Sequence, residues 1–130
     1  MSIYVPYHAA AAAKARELIQ NETNIQKRFS IITRWVSKNF VYDHIRAITI
    51  PKRGHEIPDV EGCWEKRRGI CMDIASMTTG MLRVVGINAY MVFGRTENGA
   101  HAWVEANINN KIYRYDFTGK AKKYIREKLF

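Results

Sequence analysis

The chain has 130 residues, 47% of them hydrophobic and 25% charged, the balance of an ordinary globular domain with room for one hydrophobic core and not two. No stretch approaches the roughly 18 consecutive apolar residues of a transmembrane segment, and the first residues lack the charged start and apolar core of a signal peptide. The formal charge of +9 invites a nucleic-acid reading, but Lys111 to Phe130 alone holds seven Lys or Arg against two acids, with no zinc-finger spacing, RNA-binding aromatic signature or leucine heptad beside them. That basic tail reads as a solvated face that would favour an anionic surface, and nucleic acid is not expected as a partner. The two cysteines, Cys63 and Cys71, make neither a disulfide framework nor a metal-ligand spacing, so two thiols and no metal or organic cofactor are expected.

Ala9 to Gln20 is rich in Ala, Arg, Glu and Leu and predicts a first helix. Thr23 or Asn24 can cap a second, "NIQKRFSIITRWVSKNF", in which Ile25, Phe29, Ile32, Trp35 and Val36 recur at helical spacing and which ends near Asn39. "VYDHIRAITIP" has short extended character, and Pro51 to Asp59 is a loop. Pro58-Asp59 and "VEGCWEKRR" lead through a short helix or turn to Gly69. From Cys71 a helix follows, with Cys71, Ile74, Ala75, Thr78, Met81, Leu82 and Val85 on one core-facing stripe and Gly86 suited to end it. The period then changes. "INAYMVFGR", "AHAWVEANI" and "KIYRYDFT" are short, aromatic and β-branched, and predict three antiparallel strands. "GKAKKYIREKLF" closes the chain as a helical or extended flap. Helices first and strands after make residues 1–130 a single α+β domain, with the Cys71 helix packed on a small antiparallel sheet.

The chemistry converges on one register. Asn109-Asn110 suits a two-residue hairpin turn, which sets Glu105 opposite Arg114, Trp103 opposite Asp116 and His101 opposite Thr118. His101 and Asp116 are then diagonal neighbours on one face, roughly 7 Å apart at Cβ, within reach of a His–carboxylate hydrogen bond. A slip of one residue would separate them. Cys71 opens a helix, where the dipole and free N–H groups favour the thiolate. If the His101 face packs over that helix start, Cys71 gains a base and His101 an orienting carboxylate, the logic of a nucleophilic triad with sulfur. The backbone N–H of Cys71 would serve a developing oxyanion.

"GICMDIASMTTGMLRVVGINAYMVFG", "HAWVE" and "YRYDFT", in that order, resemble the transglutaminase-like superfamily, and "IITRWVSKNFVYD" resembles its upstream helix ending in Tyr-Asp. The resemblance covers roughly residues 30–118. It implies a papain-like, transglutaminase-core fold, a triad of Cys71 nucleophile, His101 base and Asp116 orienter, and acyl transfer through a thioester, to an amine or to water, on a protein or peptide substrate. It also implies export or envelope attachment, as in small bacterial domains of this type, while the cytoplasm stays open. The chain departs from the animal transglutaminases in being short, without their additional domains and calcium sites. Asn109-Asn110 and Tyr113 stand where the family often has Gly and Trp. The family's side-chain oxyanion donor lies upstream of the Cys in a variable region, where Tyr42 and Trp64 are the candidates.

Each residue also has a plainer reading. Cys71 can be a small core residue, His101 a hydrogen-bonded sheet histidine, and Asp116 a turn residue pinned through Thr118. Trp103 is a core residue that could instead wall the groove beside His101. Asp73 complements the helix dipole, Glu105 with Arg114 is structural, and His8, His44 and His55 are surface or loop residues. The order Cys, His, Asp favours a cysteine hydrolase or transferase, and hydrolysis before cross-linking, because water needs no second binding site. The competing readings are a non-catalytic interaction domain that keeps the fold and a basic module that binds polyanions.

Overall fold

A computed structural model describes residues 2–51, 56–119 and 121–130; residues 52–55 of the Pro51–Asp59 loop, His55 among them, and Lys120 of the basic tail lie outside the described residues. The helix beginning at Cys71, α5 (Cys71–Val84), is the centre of the architecture. On one side it meets α1 (Ala9–Ile19), α2 (Ile25–Asn39) and α4 (Val60–Lys66), and on the other the strands β3 (Asn88–Thr96) and β4 (Gly99–Ile108). Its ends follow from local chemistry: Asp73 in the first turn accepts from the Ile70 N–H, and Gly86 takes φ +84° just beyond the last turn.

The single core-facing stripe expected for this helix is too narrow a description. Met72, Asp73, Ser76, Met77 and Thr79 are buried as well, because helices cover the side that an amphipathic helix would show to water. Small residues make the close approach possible, with Ala11, Ala12 and Ala15 of α1 all buried against the core. The polar ones are mostly satisfied by backbone: Thr78 Oγ1 donates to Ile74 O at 2.7 Å and Ser76 Oγ to Tyr4 O at 2.6 Å.

The remaining helices start where side chains cap them. His8 Nδ1 accepts from Ala11 N and Asn24 Oδ1 from Lys27 N. Asp59 Oδ1 accepts from Gly62 N at the start of α4. The extended reading of "VYDHIRAITIP" holds only for β1 (Val41–Tyr42). His44–Thr49 forms α3 instead, because Asp43 Oδ1 caps it at Arg46 N and Arg46 is held from across the chain by Asp73.

The main sheet has the order β5-β4-β3-β6, antiparallel throughout, with β5 (Lys111–Tyr115) and β6 (Tyr124–Leu129) at its edges. The Asn109-Asn110 turn forms with φ of 54° and 65°, and Glu105 pairs with Arg114, the register predicted from the turn. That ladder ends at Val104–Tyr115, so Asp116 leaves the strand just past its last pair. The closing segment is a strand and not a helix: β6 lies on β3, and Phe130 and Met91 exchange backbone hydrogen bonds of 2.8 and 2.9 Å. Lys122, Lys123 and Lys128 are exposed, in keeping with a solvated face. Among the described residues no helix is long and apolar enough to cross a membrane.

Candidate active site

The fold brings Cys71 to the first turn of a buried helix with its thiol only partly covered. The glycine two residues earlier is there for packing: a Cβ on Gly69 would lie 2.9 Å from both Cys63 Sγ and Asp73 Cβ. Cys63 is buried, and that burial, followed by the Asp73 charge, pushes its thiol up to about 12, which leaves it an inert protonated sulfur.

Asp73 does far more than complement a dipole. It is 1% exposed and takes four donors, Arg46 Nε and Nη2 at 2.7 and 2.9 Å, Asp59 N at 2.9 Å and Ile70 N at 3.0 Å. One carboxylate therefore ties α3, the start of α4 and the residue before Cys71 to a single point. Arg46 stays charged all the more firmly for its hydrogen bond to Asp73.

A second device positions Tyr42. β1 runs parallel to β2 (Arg68–Gly69), with Val41 N donating to Arg67 O and Asp43 N to Gly69 O. Tyr42 thus stands opposite Gly69, two residues from Cys71. Burial raises its phenol, and the nearby Cys71, Asp73 and Asp43 add to the rise. The other expected oxyanion donor, Trp64, is placed elsewhere. Its ring stacks in a cluster with Trp35 (5.9 Å) and His8 (5.8 Å), beneath the Arg67 guanidinium at 3.9 Å, and lines neither cleft beside Cys71.

On the sheet, alternation along β4 sends Ala102, Val104, Ala106 and Ile108 into the core against α5, and His101, Trp103 and Glu105 to the opposite face. The helix thus packs on the face other than the one expected. His101 still meets the thiol, because it stands near the start of β4, where Ala100, His101 and Ala102 share a cleft with Ile70, Cys71 and Met72. His101 Nε2 is 3.0 Å from both oxygens of Asp116, and the ring shares a cleft with Cys71, whose sulfur is close enough to act on its charge. Burial by itself lowers the imidazole, but the Asp116 hydrogen bond and charge and the nearby Cys71 outweigh it and push His101 up to about 10. Asp116 is only 5% exposed at its side chain. Burial raises its carboxyl, yet the His101 hydrogen bond and charge, Tyr124 and Thr118 hold it down at about 2. Asp116 also pins the turn, accepting from Thr118 N and Oγ1 while it holds His101.

Trp103 is fully buried and cannot wall a groove. Its indole N–H donates to Glu105 at 2.8 Å, and Glu105, also fully buried, is bound by Arg126 at 2.6 Å and faces Arg114 at 3.7 Å. Two open clefts of about 370 Å³ meet at Tyr42, Ala100 and His101. One carries Cys71 with the apolar side chains of Met72, Phe93 and Ile50; the other is lined by His44, Asn98, Phe117 and Thr118. Among the described residues no three His, Cys, Asp or Glu side chains gather as a metal would require. Sequence reasoning missed the Arg46–Asp73 clamp and Tyr124, whose hydroxyl donates to Asp116 at 2.8 Å.

The model of the transglutaminase-like superfamily matches residues 12–117. The chain belongs to that superfamily. Comparison with curated proteins finds no match. Among solved structures, a candidate cysteine protease from Cytophaga hutchinsonii is similar over 98% of this chain and 45% of its own, at TM-score 0.73 and 17% identity. A candidate protease from Parabacteroides distasonis is similar over 83% of this chain and 23% of its own, at TM-score 0.66 and 18% identity. A TGase is similar over 92% of this chain and 32% of its own, at TM-score 0.65 and 17% identity. At these identities the superfamily fold is what they share with this chain, and the chain spans less than half the length of each.

Proposed function

We propose that this superfamily member is a cysteine acyl-transfer enzyme that hydrolyses peptide or amide bonds, with Cys71 as nucleophile, His101 as proton carrier and Asp116 as the group that orients it. The observation that carries the reading is His101, hydrogen-bonded to a carboxylate held at both oxygens and sharing one cleft with a helix-start thiol. A histidine kept only for packing needs one partner. This one has a carboxylate partner and a thiol in the same cleft, and the three follow the order nucleophile, base, orienter.

The steps follow from the groups. Cys71 gives its proton to His101, whose raised affinity for protons favours the imidazolium. The thiolate attacks the carbonyl carbon, and the oxyanion forms beside the free N–H groups of the first turn of α5 and the Tyr42 hydroxyl. Collapse breaks the C–N bond as the imidazolium passes its proton to the leaving amine, which leaves a thioester on Cys71. A water then loses a proton to His101 and attacks the thioester, and the returning proton restores the thiol or ion pair. Hydrolysis is preferred to amine transfer because water needs no acceptor groove. A peptide lying across Cys71 would occupy the two clefts that meet at His101.

The test is alkylation by iodoacetamide between about pH 5 and 9, read residue by residue by mass spectrometry, since a thiolate reacts and a thiol does not. Fast labelling of Cys71 at the acid end, slowed in His101→Ala while Cys63 stays slow, supports the reading. Labelling of Cys71 at the rate of an ordinary thiol ends it, and salt-dependent polyanion binding unaffected by Cys71→Ala would take its place.

A further inference from the structure

We propose that Tyr124 is a positioning residue for the His101–Asp116 pair, so that β6 completes the active site from beyond the motif-bearing part of the chain. The inference rests on the acyl-transfer reading above and extends it to a residue outside the span matched by the superfamily model, which ends at residue 117.

The geometry accounts for every lone pair that matters. Asp116 Oδ1 accepts from Thr118 N at 3.1 Å and Thr118 Oγ1 at 2.9 Å, which fixes one oxygen to its own turn. Oδ2 has no such local partner. Its second donor, besides His101, is the Tyr124 hydroxyl at 2.8 Å. Without it the carboxylate can swing about its Cβ–Cγ bond, and the imidazole that follows Asp116 swings with it. The bond does not exist for Tyr124's own sake, since a half-exposed phenol can donate to water.

The ring is aimed. The Arg114 guanidinium lies over one face at 3.9 Å and the Trp103 ring meets it edge-on at 4.9 Å and 73°. Trp103 is locked in turn through its indole N–H to Glu105, which Arg126 of β6 grips from the other side. Just before Tyr124, the N–H groups of Lys122 and Lys123 donate to Glu97 at 2.7 and 2.9 Å, tying the approach of β6 to the β3–β4 turn. The pairing of β3 with β6 slips by one residue between Phe93 and Gly94, a bulge that re-aims the strand. Gly94 is what allows it, because any Cβ there would run into the Ile125 carbonyl and the Trp103 ring.

The test is Tyr124→Phe, which keeps the ring and both of its contacts and removes only the hydroxyl. With p-nitrophenyl acetate as a generic acyl donor and iodoacetamide as thiol probe, the acylation burst and Cys71 alkylation are expected to slow roughly tenfold, the scale of one charge-assisted hydrogen bond. The Asp116 carboxyl, followed by carbon NMR, should titrate at higher pH than in the wild type, a change that a purely structural role for Tyr124 would not produce. Unchanged rates, or an unmoved Asp116 titration, overturn the proposal. Should the Phe variant not fold, Asp116→Asn reads the same bond from its other end: burial and Asp116 hold the Tyr124 phenol up at about 12, and it should fall toward the ordinary phenol value. A phenol that does not move overturns the proposal equally. Failure of the underlying reading looks different, because wild-type Cys71 itself would then label like a free thiol.

Discussion

Asp73→Asn tests whether the site is held by one buried carboxylate. The substitution preserves shape and one acceptor oxygen but removes the charge and turns an NH₂ group toward donors. Arg46 keeps its guanidinium in place with 26% of its side chain exposed, against 1% for Asp73, so the pair sits nearer the buried than the surface class. A surface pair would contribute about 0–1 kcal/mol. Removing one partner of a buried pair costs about 3–5 kcal/mol, because the remaining charge is left without compensation. We expect about 4 kcal/mol, a large share of the total stability of roughly 5–15 kcal/mol of a domain, and a fall in Tm of roughly 12–20 °C. Urea unfolding followed by circular dichroism gives the number. Arg46→Met should cost less alone, since Asp73 keeps two backbone donors, and the double variant should lose less than the sum of the singles. Cys71 alkylation should slow in Asp73→Asn at temperatures where it remains folded, because the N–H of Ile70 loses its anchor. A loss below about 1 kcal/mol, or strict additivity with Arg46→Met, would refute the clamp.

Four further outcomes are expected. With His101 held at about 10, activity should persist well above the ordinary imidazole range and fall only as that proton is lost; an alkaline arm near neutrality in the pH–rate profile would contradict it. The same shifts act on stability with opposite signs. The raised His101 contributes fully below its unfolded value and loses that contribution as pH rises through about 10, whereas the lowered Asp116 contributes above its unfolded value and loses it as pH falls through about 2, both readable from urea midpoints against pH. Tyr42→Phe should lower the acylation rate by roughly 10–100-fold with little change in Tm if the hydroxyl serves the oxyanion, and an unaltered rate would leave the backbone N–H groups to do so alone. Gly94→Ala should detach β6 from β3, destabilising by about 2–4 kcal/mol and slowing Cys71 alkylation; a variant of wild-type stability would mean that the strand can yield.

By itself the sequence determined whatever depends on near neighbours. Helical spacing and capping residues set α1, α2 and α5, because a helix is closed by contacts three and four residues apart. The Asn109-Asn110 turn fixed the register of β4 and β5, since a two-residue loop admits one pairing, and so delivered Asp116 just past the ladder's end, within hydrogen-bond reach of His101. Only the tertiary structure decided what comes from distant segments. "DHIRAIT" carries no strong helical stripe and becomes a helix under an Asp43 cap and a carboxylate 27 residues away. Tyr42 and Trp64 are equivalent on paper, and a two-residue parallel pairing brings one to Cys71 while an aromatic cluster takes the other. Trp103 lies on the face away from α5 and would be exposed there, had the closing strand not laid Tyr124 over it. Tyr124 itself lies eight residues beyond Asp116, in a segment whose composition reads as a solvated basic tail, and no periodicity marks its hydroxyl as a partner. The loop-closure entropy of such pairings is offset by packing elsewhere and not by the residues that pair, so the local sequence carries no mark of them.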